Sequence, residues 1–120
     1  MATFIKNHLS GSTDGRMIKV AATATAGTTI HTGSTTTTTF HEVWLYAVNS
    51  DTTARKLTIE WGGTSSPDDL IELSVTGESG LILAVPGLVL QGNATALVIR
   101  AFAAAANVIS IAGYVNEITV

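Results

Sequence analysis

The chain has 120 residues, no cysteine, and a formal charge of -3 from six Lys+Arg against nine Asp+Glu. That length makes one domain whose core needs neither disulfide nor metal, and the lack of cysteine removes thiol chemistry and cysteine-ligated zinc. Charged residues are 12% against 46% hydrophobic, with no basic run. This excludes a phosphate-backbone binder and points to a surface partly covered by other subunits.

The N-terminus, MATFIKNHLS, lacks the apolar run and small-residue cleavage site of a secretory signal, so Sec export is not expected. Ser10 to Gly15 reads SGSTDG, a turn-rich link. Residues 1–15 are therefore expected to be a flexible arm and residues 16–120 a β-sandwich domain.

From there the chain alternates β-branched and apolar residues with Gly, Asn, Asp, Ser and Pro clusters, which predicts strands. They are Met17 to Thr23, Thr28 to Thr32, Phe40 to Asn49, Arg55 to Trp61, Leu70 to Thr76, Leu81 to Val85, Thr95 to Ala103 and Val108 to Thr119. The threonine tract Thr35 to Thr39 has no core face and is assigned to an exposed edge or loop. Eight strands in one domain predict an all-β antiparallel sandwich, jelly-roll-like.

Alternation also assigns inner faces: Ile71, Leu73 and Val75; Leu97, Ile99 and Ala101; Ile109, Ile111 and Val115. Gly113 marks a bulge in this reading. The segment GLILAVPGLVL is apolar on both faces, so its strand is central or meets another chain, and Pro86 and Gly87 end it. The longest apolar stretch, Leu97 to Val115, is interrupted by Arg100 and Asn107 and alternates like strands, so no membrane span is expected. AFAAAAN, from Ala101 to Asn107, is a bend or a short helical turn.

Val43 to Trp61 reads as a hairpin about Ser50 to Ala54. Ala47 would pair with Leu57, Leu45 with Ile59 and Val43 with Trp61, giving one wholly apolar face. The other face would set Trp44, Tyr46 and Val48 opposite Glu60, Thr58 and Lys56, an amphipathic aromatic surface suited to a partner.

Chemistry-bearing groupings are sparse. His8, His31 and His41 lack metal-ligand spacing, and His41 beside Glu42 reads as a strand-end polar pair. Asp68, Asp69 and Glu72 do not match an EF-hand loop and read as a solvated acidic turn. Gly77-Glu78-Ser79-Gly80 is no nucleophile elbow, and Glu42, Glu60 and Glu72 read as outward solubilising residues. No phosphate-binding glycine loop is present. The expectation is a non-enzymatic protein with no catalytic residue, cofactor, metal or small-molecule substrate. The outward aromatics Trp44, Tyr46, Phe102 and Tyr114, with Arg100, are the candidate interface, since these residue types dominate contact hot spots. A carbohydrate-binding sandwich stacking sugars on Trp44 and Tyr46, with Ca²⁺ at Asp68 and Asp69, uses similar chemistry and is an alternative.

From Val43 onward, the YAVNSD run leading to LTIEWG, the Pro-Gly after an apolar strand and the closing GYVNEI resemble small virion proteins of tailed bacteriophages, those that decorate or cement the capsid or sit near the head–tail junction. The resemblance implies a β-sandwich that oligomerises, often as a trimer, and binds the major capsid protein across capsomer boundaries on the virion exterior, after synthesis in the bacterial cytoplasm. A head–tail connector or tail protein is the variant reading. No individual residue's role carries over.

Overall fold

Strands form where apolar and polar residues alternate, and turns fall at the Gly, Ser, Asn and Asp clusters between them. In the computed structural model, which describes residues 2–120, there are nine strands. These are β1 (Thr3–His8), β2 (Ile18–Lys19), β3 (Thr28–Thr32), β4 (Thr39–Asn49), β5 (Arg55–Trp61), β6 (Leu70–Val75), β7 (Ile82–Gln91), β8 (Val98–Ala103) and β9 (Ile109–Thr119). One sheet runs β1-β9-β4-β7, with β2 also on β9; the other runs β3-β8-β5-β6.

The antiparallel pairs β2·β9, β3·β8, β4·β7 and β5·β6 are nested, so the first half of the chain folds back on the second. Lateral pairs β4·β9 and β5·β8 complete the two sheets. This interleaving is a jelly roll. The expected all-β sandwich is present, and its eight expected strands correspond to β2–β9.

The core lies between the sheets. Val43, Leu45 and Ala47 of β4 and Ile109, Ile111 and Val115 of β9 meet Leu57 and Ile59 of β5 and Ile99 and Ala101 of β8, all fully or nearly fully buried. The inner-face assignment therefore holds for these strands, but the hairpin does not. β4 pairs β7 and β9, whereas β5 pairs β6 and β8. Two strands with matching apolar faces can pair edge to edge or oppose each other across a core, and here they oppose. The loop between them crosses from sheet to sheet, stitched by buried Asn49, whose Nδ2 donates to the carbonyls of Thr53 and Val75.

Three further expectations are corrected. Residues 2–9 are not an arm apart from the sandwich: Thr3–His8 pair along β9, and Leu9 is buried in the core. Met1 lies outside the described residues. Gly113 is no bulge, because the β4·β9 register passes it unbroken; a Cβ there would sit 2.0 Å from the Trp44 carbonyl oxygen. Pro86 and Gly87 do not end their strand. β7 is an edge strand, where a residue without N–H is tolerated, and register shifts with Gly87 at positive φ carry the chain through.

The sheet assignment is testable because the native chain is free of cysteine. Tyr46 and Ala112 are directly paired, within the Cα separation a disulfide spans. Cysteines at 46 and 112 should oxidise to an intramolecular disulfide, seen as a mass loss and faster migration without reductant. Cysteines at 46 and 58, which the hairpin would oppose, should remain reduced.

Candidate functional site

The five candidate interface residues divide between opposite outer faces. Trp44, Tyr46 and Tyr114 lie on the outside of the first sheet, whereas Arg100 and Phe102 lie on the outside of the second. All five are half-buried.

The middle of the second sheet's outer face is covered, while Lys56, Glu72 and Ser74 at its β6 side stay exposed. The segment from Ala21 to Gly27 crosses it, with Ala103 N–H donating to the Ala22 carbonyl. Glu60, expected outside and solvated, is 0% exposed. Its carboxylate accepts the Thr25 hydroxyl at 2.5 Å and the Gly27 N–H at 2.7 Å. Thr58 beside it is buried too. Phe102 lines a cleft of about 300 Å³ with Thr23, Thr25 and Leu70, and Arg100 Nη1 donates to the Thr29 hydroxyl.

The first sheet's outer face is open, and the register lays it out in rows. Phe4, Ile118 and Phe40 form one row. Lys6, Asn116, Glu42 and Val89 form the next, then Tyr114, Trp44 and Pro86, then Ala112, Tyr46 and Leu83. Phe4 is 64% exposed, Val89 51% and Leu83 47%.

Within these rows Tyr114 stacks on Trp44, the ring centroids 6.1 Å apart and the planes 12° from parallel. Lys6 Nζ lies over Tyr114, 4.6 Å from its centroid, a cation–π contact. The backbone of Gly87 packs against the Trp44 indole, where a Cβ would approach within 2.8 Å. Lysine, tyrosine, tryptophan and glycine thus pack side by side in one column across four strands. Beside it Glu42 accepts from Trp44 Nε1 at 2.9 Å and Asn116 Nδ2 at 2.8 Å, and those bonds, Trp44 foremost, hold its carboxyl below the ordinary carboxylate range.

A second grouping lies inside the sandwich, and spacing in the sequence did not reveal it. His41 and Glu42 point to opposite faces of β4, so they are not a polar pair. Instead His31 Nε2 is 2.8 Å from His41 Nδ1, both rings buried. Ser10 N–H donates to His31 Nδ1 at 3.0 Å. At the far end His41 Nε2 faces Glu117 Oε1 at 3.4 Å and has no closer partner. These groups border a cleft of about 540 Å³ that His8, Asn7, Thr32 and Ser34 also line. The in-phase position of His41 with Val43 and Leu45 was the available signal, since it marks an inward histidine.

This chain fixes the tautomers. The Ser10 amide takes the lone pair of His31 Nδ1, so the His31 proton is on Nε2 and donates to His41 Nδ1; His41 then carries its proton on Nε2, toward Glu117. Neither neutral ring keeps a lone pair for a metal. Among the described residues, no three His, Cys, Asp or Glu side chains are arranged to hold one. The chain ends in a backbone amide and a carboxylate, so it has no nucleophile to activate.

The acidic residues are dispersed. Asp69 accepts the Ser65 N–H within its own turn, Glu72 is ion-paired with Lys56, and Glu42 and Glu60 lie on opposite sides of the sandwich.

No protein-family model, curated protein or solved structure matches the chain.

Two outcomes follow from these contacts. Burial, then the neighbouring His41, lowers the His31 pKa from 6.5 to about 4. Between those values the unfolded chain binds the proton and the folded one does not, so this stability is complete above pH 6.5 and declines as pH falls toward 4. The loss is at most about 3 kcal/mol, readable by urea unfolding across that range. Separately, Glu60→Ala leaves the Thr25 hydroxyl and Gly27 N–H unpaired and should cost roughly 2 kcal/mol or more, with faster proteolysis in the 21–27 segment.

Proposed function

We propose that this chain is a non-enzymatic virion structural protein that assembles as a homo-oligomer and stabilises a bacteriophage head by docking between capsomers. The observation that carries the reading is the open outer face of the first sheet. It presents Phe4, Phe40, Tyr46, Leu83 and Val89 around the Trp44–Tyr114 column, while the middle of the opposite sheet is covered by its own chain. Exposed apolar area of this kind, here crossed by one polar row, marks an interaction surface.

The composition agrees, since a surface with few charges suits a subunit covered by neighbours. The jelly roll is an architecture of viral capsid domains and of lectins, so the fold alone does not choose between them. The column favours the protein partner. A lectin platform offers a free ring face to the sugar, and here Tyr114 already contacts Trp44 and Lys6, and Trp44 contacts Tyr114 and Gly87. Individual contacts can be modest, near the roughly 800 Å² per partner of standard interfaces, because many symmetric copies act together.

The test combines native mass by light scattering with co-sedimentation on heads assembled from the major capsid protein. The wild type should run as a closed oligomer, a trimer in this reading, and should sediment with heads. Leu83→Lys and Phe4→Lys, both at exposed positions, should keep the wild-type circular dichroism spectrum and lose one or both associations by tenfold or more in apparent Kd, about 1.4 kcal/mol. Head binding and mass that both variants leave unchanged would remove this face from the assembly.

A further inference from the structure

We propose that the chain from the Ser10 amide through His31 and His41 to Glu117 is an acid-released latch that fixes the N-terminal strand β1 on the sandwich at neutral pH.

The protons along this chain can be counted. Four ring nitrogens are arranged so that each contact has one donor and one acceptor: Ser10 N–H to His31 Nδ1, His31 Nε2–H to His41 Nδ1, and His41 Nε2–H toward Glu117. Two protons satisfy this pattern. A third must occupy His31 Nδ1 or His41 Nδ1, the two acceptors. On His31 Nδ1 it sets two donors against each other at the Ser10 contact; on His41 Nδ1 it does so between the rings. Moving the other protons changes which contact is lost but never restores both. Protonation of the pair therefore breaks either the Ser10 contact or the histidine–histidine contact, and both arrangements that keep the charge-assisted bond between the rings put a proton on His31 Nδ1 and give up Ser10.

The groups facing the pair do not remove this conflict. From β1 the cleft receives His8 and Asn7, from β9 Glu117, and from the β3–β4 loop only Gly33, Ser34 and Thr35. Glu117 is the one anion among them, and it sits at His41 Nε2, already a donor. It accepts from His41 Nε2–H and supplies no acceptor for an extra proton. Burial, then the neighbouring His41, keeps His31 neutral to below its ordinary range.

Ser10 is the first residue after the buried Leu9 and sits at the joint between β1 and the sandwich. Its other ties are the Thr32 N–H donating to its hydroxyl and the Gly11 N–H donating to the Ile30 carbonyl. Beyond that joint β1 is exposed along its whole length and held by β9 alone. Its Phe4 and Lys6 belong to the open face. Release of the latch would thus alter the docking surface; that consequence rests on the function proposed above, whereas the latch itself does not.

The test is amide hydrogen exchange of the isolated full chain, referenced to intrinsic rates at each pH. Protection at Ser10, Gly11 and through β1 should fall roughly tenfold or more as pH is lowered from 6.5 toward 4, while core amides of β4 and β9 fall later. His31→Asn keeps an acceptor for Ser10 without a titrating ring and should make the local protection independent of pH. Wild-type protection that stays flat, or a variant that loses it as the wild type does, would overturn the latch. Ring ¹⁵N spectra of the wild type give an answer even if the variant fails to fold. They should show His31 protonated on Nε2 at neutral pH, and a proton found on Nδ1 would refute the scheme. Because no capsid enters these experiments, failure of the latch and failure of the docking reading are separable.

Discussion

The register between β4 and β9 is the constraint on which the rest depends. It runs unbroken from Thr39 opposite Thr119 to Asn49 opposite Ile109. Its two faces build the two groupings. Outward, it sets Trp44 beside Tyr114 and Glu42 beside Asn116; inward, it sets His41 beside Glu117. Sliding one strand by a residue would exchange the faces along its whole length. Gly113 prevents that slip locally, because any neighbour moved into its place would drive a Cβ into the Trp44 carbonyl. Sheet register thereby fixes both the aromatic column and the histidine chain.

The two outer faces solve the same problem in different ways. The second sheet carries a carboxylate in its middle, and burying a charge without partners is costly. Glu60 is instead satisfied by Thr25 and Gly27, and the covering segment seals it from water. On the first sheet the polar row is satisfied sideways in part: Glu42 by Trp44 and Asn116, Lys6 by the Tyr114 ring, whereas Asn116 Oδ1 is buried without a partner. A partner that excludes water from this face would leave the Glu42 carboxylate paired. That lowers the desolvation cost of docking, a condition for apolar contacts to show as affinity.

Strand positions and inward residues were legible in the sequence because alternation is local and has period two. Val43, Leu45 and Ala47 were placed correctly without knowing what lay opposite. Pairing was not legible. An apolar face fits equally against a neighbour in the sheet or a strand across the core, so β4 and β5 read as a hairpin when they face each other through it. Glu60 read as solvated for the same reason, since nothing on β5 announces that Ala21 to Gly27 returns to cover it. Trp44, Tyr46 and Tyr114 were recognised as outward, but Arg100 and Phe102 sit on the far face. His31, His41 and Glu117 are scattered along the chain and meet only through nested pairing, which no spacing rule captures.

The edge strand β7 shows why docking through the face is physically favoured over strand pairing. Between Ile82 and Gln91 it has no charged residue, and Leu83, Leu88 and Val89 are exposed. A long uncharged edge invites open-ended addition of further chains. Pro86 removes an N–H in its middle, and register shifts on either side distort the line of donors and acceptors. The edge is therefore poor as a ladder template while its side chains remain available to a partner lying across the face. Contacts made by side chains on this face have a defined geometry, so they can close around a symmetry axis, whereas a continuing ladder would extend into a fibre.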